Sequence, residues 1–257
     1  GLLYRVMLVW ERITFATASV SIATNESFKR IAVRRGKMKP EDVFVVRSAP
    51  KIDNFIPGEG DRSYRKGAGT VMGYVGVIGQ QEGMDLLVKA ADHLINTLGK
   101  TDVHFAIVGF GPHLEIVQDD VKAHGLEPYF TFTGALYGDD MLAVLNAIDI
   151  GVSPDPKNAM NDISTMNKVM EYMTLEKPSV QFDLTEGGVS AGDASLYAAA
   201  NDPIDFAAKI AELIEDPKAG IEMGKRGRKR VLEDLSWAHT TPQLLAAYDR
   251  IFAKRKG

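Results

Sequence analysis

Cysteine is absent from the 257 residues, which removes disulfides, thiolate metal sites and thiol nucleophiles together, and fits a reducing compartment such as the cytoplasm. Histidine is sparse: residues 93, 104, 113, 124 and 239 are scattered, and no two share a helix face beside a carboxylate. The spacing therefore offers no metal motif, and none is expected. No apolar run approaches the roughly 20 residues that span a bilayer, and no secretory signal is expected. Neither a Gly-x-Ser-x-Gly elbow nor a Gly-x4-Gly-Lys-Ser/Thr phosphate loop occurs. A formal charge of −4 gives no global attraction for nucleic acid, which is not expected as a partner.

What is present is an ordinary globular composition, 45% hydrophobic and 25% charged, long enough for one large or two smaller domains. The chain opens inside a helix-like pattern, Leu2 to Trp10, so a preceding part is expected to be missing. Residues 1–18 read as a helix, 18–24 as a short strand, Asn25 to Ala32 as a capped helix and Val43–Val46 as a strand. Together they resemble the tail of a domain, set at residues 1–50, with a Pro, Gly and charge-rich linker at 51–69.

Residues 70–240 read as the main domain. Strands at Thr70–Val77, Val103–Val108, Phe130–Thr133 and Ile150–Ser153 alternate with helices at Gly83–Leu98, Pro112–His124 and Asp140–Ile148; strands Ser179–Phe182 and Ser195–Tyr197 continue the pattern. Apolar strands alternating with amphipathic helices specify an α/β fold, a Rossmann-like parallel sheet with helices on both faces. Helices at Pro203–Glu215, Ala219–Asp234 and Thr241 to about Lys254 form a C-terminal helical layer, the last of them within a separate segment, 241–257.

The stretch Ser164-Thr165-Met166-Asn167-Lys168-Val169-Met170-Glu171-Tyr172-Met173 organises the rest. Ser164 or Thr165 is expected to cap its helix, with Val169, Met170 and Met173 on the buried side. A helix N-terminus offers unpaired N–H groups and partial positive charge to a phosphate, Lys168 adds a mobile cation, and Glu171 one turn further in suits the vicinal hydroxyls of a ribose. A capped amphipathic helix with a surface Lys–Glu pair accounts for the same residues.

Three strand ends carry glycine: Gly76, Gly79 and Gly83 in the first, Gly109 and Gly111 in the second, Gly134 in the third. Each alone is a tight turn; their recurrence at one sheet edge points to a ligand lying across it. His113 is the histidine nearest that edge. Ser153-Pro154-Asp155-Pro156 and Asp139-Asp140 read as turn and cap residues rather than cation ligands. The basic runs at 34–37, 225–230 and 254–256 suit an anionic membrane surface, although such runs are more often solvated helix faces.

Taken together, Gly73 to Gly83, Ile107-Val108-Gly109-Phe110-Gly111-Pro112, Phe132-Thr133-Gly134, Ala147 to Pro154, Asn167-Lys168-Val169-Met170-Glu171, Lys177-Pro178, Met223-Gly224 and Leu235-Ser236-Trp237 resemble the donor-binding C-terminal half of a GT-B glycosyltransferase, similar to the retaining family 4. Residues 1–50 resemble the end of that family's N-terminal acceptor domain. The resemblance implies transfer of a sugar from a nucleotide diphosphate sugar, a UDP-sugar favoured, to a saccharide or lipid-linked acceptor in bacterial polysaccharide or glycolipid assembly. It implies no cofactor and no metal, a cytoplasmic location at or near the inner face of the membrane, and an inactive fragment if the acceptor half is missing.

By the same resemblance Gly76, Val77, Gly79, Gln80, Gln81, Gly109, Gly111, Gly134, Ala135, Leu136, Ser164, Thr165, Asn167, Lys168 and Glu171 line the donor site; no catalytic residue is named. Glu171 matches the second glutamate of the family's Glu-x7-Glu motif, which holds the ribose. The first falls on Ile163, beside Asp162, and the family's phosphate-binding Arg and Lys fall on Val77 and Glu82. Lys168 and the helix N-terminus are left to supply the positive charge. The alternatives are a nucleotide-binding module without transferase activity and a GT-B-fold nucleotide-sugar epimerase.

Overall fold

A computed structural model of the chain describes residues 1–256, the side chains of Arg255 and Lys256 excepted. The chain divides into two compact units, residues 1–49 with 233–257, and residues 50–232.

In the first unit, helix α1 (Leu2–Thr17) precedes strand β1 (Ser21–Ala23), helix α2 (Glu26–Arg34) and strand β2 (Val43–Val45), which pairs in parallel with β1. Asn25 caps α2 by accepting from Phe28 N at 2.9 Å. Asp42 is buried beside β2 and pairs with Lys254 at 2.6 Å and Arg250 at 2.8 Å. The Lys254 hydrogen bond, ahead of the burial that opposes it, holds the Asp42 carboxyl below its ordinary range.

The second unit is a six-stranded parallel sheet: β3 (Thr70–Val75), β4 (Val103–Val108), β5 (Phe130–Gly134), β6 (Ile150–Ser153), β7 (Ser179–Phe182) and β8 (Ser195–Ala198). The order across it is β5-β4-β3-β6-β7-β8. Helices α3 (Met84–Asp92), α4 (Leu114–Ala123), α5 (Gly138–Ala147), α6 (Asn167–Thr174), α7 (Thr185–Ala191), α8 (Pro203–Glu215) and α9 (Pro217–Arg230) flank it, and α10 (Trp237–Lys256) belongs to the first unit.

The period-2 alternation along each strand sends residues to opposite faces. Met72, Phe105, Ile107, Val152, Val180 and Phe182 meet α3 and α8 on one side, whereas Val71, Ala106 and Val108 meet α5 and Tyr172 of α6 on the other. Buried on both faces, the strands read as continuous apolar runs. This is the α/β, doubly covered sheet that the alternation predicts.

Several boundaries differ from the sequence reading. The helix expected over Gly83–Leu98 is α-helical only to Asp92 and widens into a π-turn over His93–Thr97. Helix α7 was not expected, because Thr-Glu-Gly-Gly-Val-Ser-Ala has neither strong helix formers nor an apolar stripe. Residues 51–69 carry a 3-10 turn (Arg62–Arg65) and are tied to the second unit: Asp61 N donates to Ala143 O at 2.9 Å, and Arg65 pairs with Asp149 at 2.9 Å.

The basic run at 225–230 is also more engaged than a solvated face. Arg228 donates to the Thr174 carbonyl, Arg230 to Ser190 O at 3.0 Å, and Arg226 pairs with Asp193 at 3.0 Å. These arginines stitch α9 to the end of α6 and to α7, and Gly224 and Gly227 allow the approach: a Cβ at 224 would lie 1.9 Å from Glu176 O. The run at 254–256 lies in part outside the described side chains.

Candidate functional site

The chain leaves β3 toward β4 and β5, then returns to β6 on the opposite side of β3. Between β3 and β6 the order of an open sheet reverses, and ligands gather in the crevice beyond such a point. Here the two strands are registered only at Met72↔Ile150 and Gly73↔Gly151. Past that they part, and the Tyr172 hydroxyl stands between them, accepting from Val75 N at 3.2 Å and donating to Val152 O at 3.2 Å. Tyr172 is fully buried, which drives its phenol well above the ordinary value.

The three glycine turns stand at this edge and are zipped to one another. Gly76 N donates to Val108 O at 3.0 Å, Ile78 N to Phe110 O at 2.9 Å, His113 N to Ile78 O at 3.0 Å and Gly109 N to Gly134 O at 2.9 Å. A Cβ on Gly109 would lie 1.9 Å from Gly76 O, and one on Gly111 would lie 2.3 Å from Ile78 O. The bareness of Gly109 and Gly111 therefore serves the contact of loop with loop, so these two of the glycines predicted to admit a ligand are first a requirement of the rim itself. Gly83 has the same duty toward Pro154, whose carbonyl a Cβ would approach to 2.1 Å.

Gln80, Gln81, Val77 and Ala135 are exposed on the rim, and Gly79, Gly134 and Leu136 lie beside them. Asn161 joins the rim to the loop after β6, its amide donating to Gln81 O at 2.9 Å and to Pro156 O at 3.0 Å. Outside the rim, Gly79, Gln80 and His113 line a groove of about 650 Å³ between α3 and α4.

Helix α6 begins at this crevice. The residue before the helix is Met166, which makes no side-chain cap bond, and Ser164 does not cap it either, since its hydroxyl donates backward to Met160 O at 2.7 Å. A short 3-10 turn over Asn161–Ile163 intervenes and shifts the start of the helix by two residues. The N–H groups of Asn167 and Lys168 open the helix at this crevice. Val169, Met170 and Met173 are buried as expected, and Tyr172 joins them.

Lys168 is not the mobile cation that its position suggests. Its ammonium bonds both oxygens of Asp155, at 2.9 and 2.8 Å, and lies 4.9 Å from the centre of the Tyr74 ring. The lysine side chain is 11% exposed and that of Asp155 4%. Asp155, expected as a turn residue, is a buried counter-ion whose Oδ2 also accepts from Ser153 Oγ at 2.5 Å. Tyr74 is pinned in turn by its hydroxyl donating to Val77 O at 2.6 Å. Sequence reasoning missed Asp155 and Tyr172; the Ser-Pro-Asp-Pro sequence at the end of the strand that borders the reversal was the available signal.

Glu171 lies one turn into α6, half-buried, and its carboxylate makes no hydrogen bond or salt bridge with any described residue. Burial raises its pKa above the ordinary carboxylate value, and nearby Lys168 opposes the rise. The atypical positions have local roles. Glu82 accepts from Gly79 N at 3.0 Å and closes the 3-10 turn Gln80–Glu82, while Val77 is 54% exposed. Asp162 accepts from Thr185 N at 2.9 Å and Thr185 Oγ at 3.0 Å, anchoring the start of α7. The backbone bond from Thr185 lowers its pKa most.

Known proteins resemble this chain in sequence and in fold. Residues 69–216 match the family described as Glycosyl transferases group 1. The 2-deoxystreptamine glucosyltransferase of Streptomyces kanamyceticus is 27% identical over 73% of the chain and 47% of its own length. The alpha-maltose-1-phosphate synthase of Mycolicibacterium smegmatis is 26% identical over 97% of the chain and 68% of its own. Among solved structures, Anabaena Alr3699/HepE in complex with UDP and glucose superposes with a TM-score of 0.81 at 16% identity, over 94% of this chain and 66% of that one. S. aureus TarM superposes at 0.76 over 91% and 44%, with 17% identity. The chain spans about half the length of the first of these relatives.

Proposed function

The chain belongs to the Glycosyl transferases group 1 family, and from that membership we propose that the crevice between β3 and β6 binds a nucleotide diphosphate sugar, a UDP-sugar foremost. The whole protein would transfer its sugar to a saccharide or lipid-linked acceptor hydroxyl. Retention, as in glycosyltransferase family 4, and a role in bacterial polysaccharide or glycolipid assembly are part of the same reading. The observation that carries it is Glu171: a half-buried carboxylate with no hydrogen-bonding partner among the described residues, one turn inside a helix that begins at the point where the sheet order reverses.

In this reading the diphosphate lies against the Asn167 and Lys168 N–H groups, where the helix dipole favours negative charge. Glu171 accepts both ribose hydroxyls. As the bond from the anomeric carbon to the diphosphate breaks, these pre-oriented donors stabilise the departing charge without reorganising. The acceptor oxygen then bonds that carbon on the same face and passes its proton to an oxygen of the departing diphosphate. No step calls on a metal.

Calorimetric titration with UDP, GDP, ADP and UDP-glucose, with and without EDTA, tests this. The expected result is micromolar binding of one diphosphate, unchanged by EDTA and weakened in Glu171→Ala. Failure of all of them to bind would overturn the donor site, and strict dependence on added magnesium would overturn the metal-free reading.

A further inference from the structure

At the crevice the helix tip would attract a diphosphate, yet Lys168, the cation that stands there, is already matched by a buried carboxylate. Both Asp155 oxygens face the ammonium at 2.8 and 2.9 Å, leaving at most one of its three protons for another acceptor. The pair is nearly withdrawn from water, and its environment is tightly made: Tyr74 flanks the ammonium, Ser153 donates to Asp155, and the Lys168 Cε lies 3.5 Å from where a Gly76 Cβ would stand. The neighbouring turn adds no positive charge, since Val77 is neutral and Glu82 is acidic.

We propose that Asp155 is a positioning residue that competes with the donor's diphosphate for Lys168, so that donor binding exchanges one anionic partner of the ammonium for another. The inference rests on the donor-site reading above. Its physical basis is that a carboxylate and a phosphate cannot both sit against one partly desolvated ammonium without repelling each other. Asp155 keeps Lys168 at the mouth of the crevice in the free protein and weakens its grip on the diphosphate when the ligand is bound. Ser153 keeps a hydrogen bond on Asp155 when the lysine turns away, which lowers the cost of the exchange. A diphosphate product would accordingly be released more readily than from an uncompensated lysine.

The test is a double-mutant cycle read by calorimetry with UDP, GDP and ADP, each against its own nucleoside and against inorganic pyrophosphate. In Asp155→Asn, which preserves shape and removes charge, the preference for the diphosphate over its nucleoside should rise about tenfold. In Lys168→Met the same Asp155→Asn change should leave that preference unmoved, because the partner it competes for is gone. A preference unchanged or lowered in Asp155→Asn, with the unaltered protein still binding the diphosphate, would overturn the competition and leave the donor site standing. An equal rise in the Lys168→Met background would also overturn it, by showing plain repulsion. Absence of nucleotide binding in the unaltered protein would remove both readings. Thermal melting of each variant separates a folding defect from a binding effect, and pyrophosphate reports the charge exchange independently of the base.

Discussion

Gly151 has no side chain because the ring of Tyr172 occupies the place of its Cβ, which would lie 2.3 Å from the ring. The two residues come from a strand and from the helix packed on it, and their contact sets the depth at which the Tyr172 hydroxyl reaches the parting strands β3 and β6. A glycine that weakens its strand is thereby exchanged for a tyrosine that bridges two strands.

Gly151→Ala is expected to destabilise the protein by about 2 kcal/mol or more through overpacking. Tyr172→Phe should cost about 1–3 kcal/mol, since it leaves the part-buried Val75 N without its acceptor. Urea unfolding of both variants measures this; a Gly151→Ala protein of unchanged stability would mean that α6 shifts freely, against the fixed crevice described here.

Glu171→Ala should weaken binding of the nucleoside and of the diphosphate alike, by about 1–3 kcal/mol, as a charge-assisted hydrogen-bond acceptor is lost. Unchanged affinity in calorimetry would remove Glu171 from the site.

The pH dependence of binding follows from the same residue. Burial raises the Glu171 pKa in the folded protein, so its contribution to folding stability is present below the unfolded value and lost as pH rises through the folded one. Ligand hydroxyls prefer the ionised form. Affinity for the nucleoside should therefore fall as pH drops through that raised pKa, above the ordinary glutamate range, and Glu171→Gln should flatten the profile. A profile that stays flat in the unaltered protein would contradict this.

Lys168→Met should reduce affinity for the diphosphate more than for the nucleoside, and it should also destabilise the fold by about 3 kcal/mol, because Asp155 then stays buried with the Ser153 hydroxyl as donor and no cation. Equal losses for both ligands would argue against a phosphate role. A fold as stable as the original would argue against the burial of the pair.

Val77→Arg should tighten diphosphate binding several-fold with little effect on stability, since position 77 is exposed and an added cation on the rim costs little there. Glu82→Lys should instead destabilise the turn, because Gly79 N loses its acceptor. If Val77→Arg left the affinity for UDP, GDP and ADP unchanged, the rim would not border the diphosphate.

Much of this fold was legible along the chain because its signals are local. Strands β4, β6 and β7 are apolar runs between helices of period 3.6, and their limits at Val103–Val108, Ile150–Ser153 and Ser179–Phe182 coincide with the sequence reading. Helix α8 begins at Asp202-Pro203, a cap followed by a proline, and was equally plain. The short α7 was not, since its glycines carry no helical preference and Asp162, from another loop, secures its start.

The sequence by itself determined the alternation of elements, the parallel sheet and the glycine turns at one edge, because each depends on residues close together in the chain. Tertiary structure alone decided what those residues do. It turned Gly109, Gly111 and Gly83 into contacts between neighbouring loops, moved the start of α6 past Ser164 and Thr165, and placed Asp155 against Lys168, thirteen positions away. Charges in sequence have no fixed partners; only folding brings a carboxylate and an ammonium together out of water, where pairing becomes obligatory.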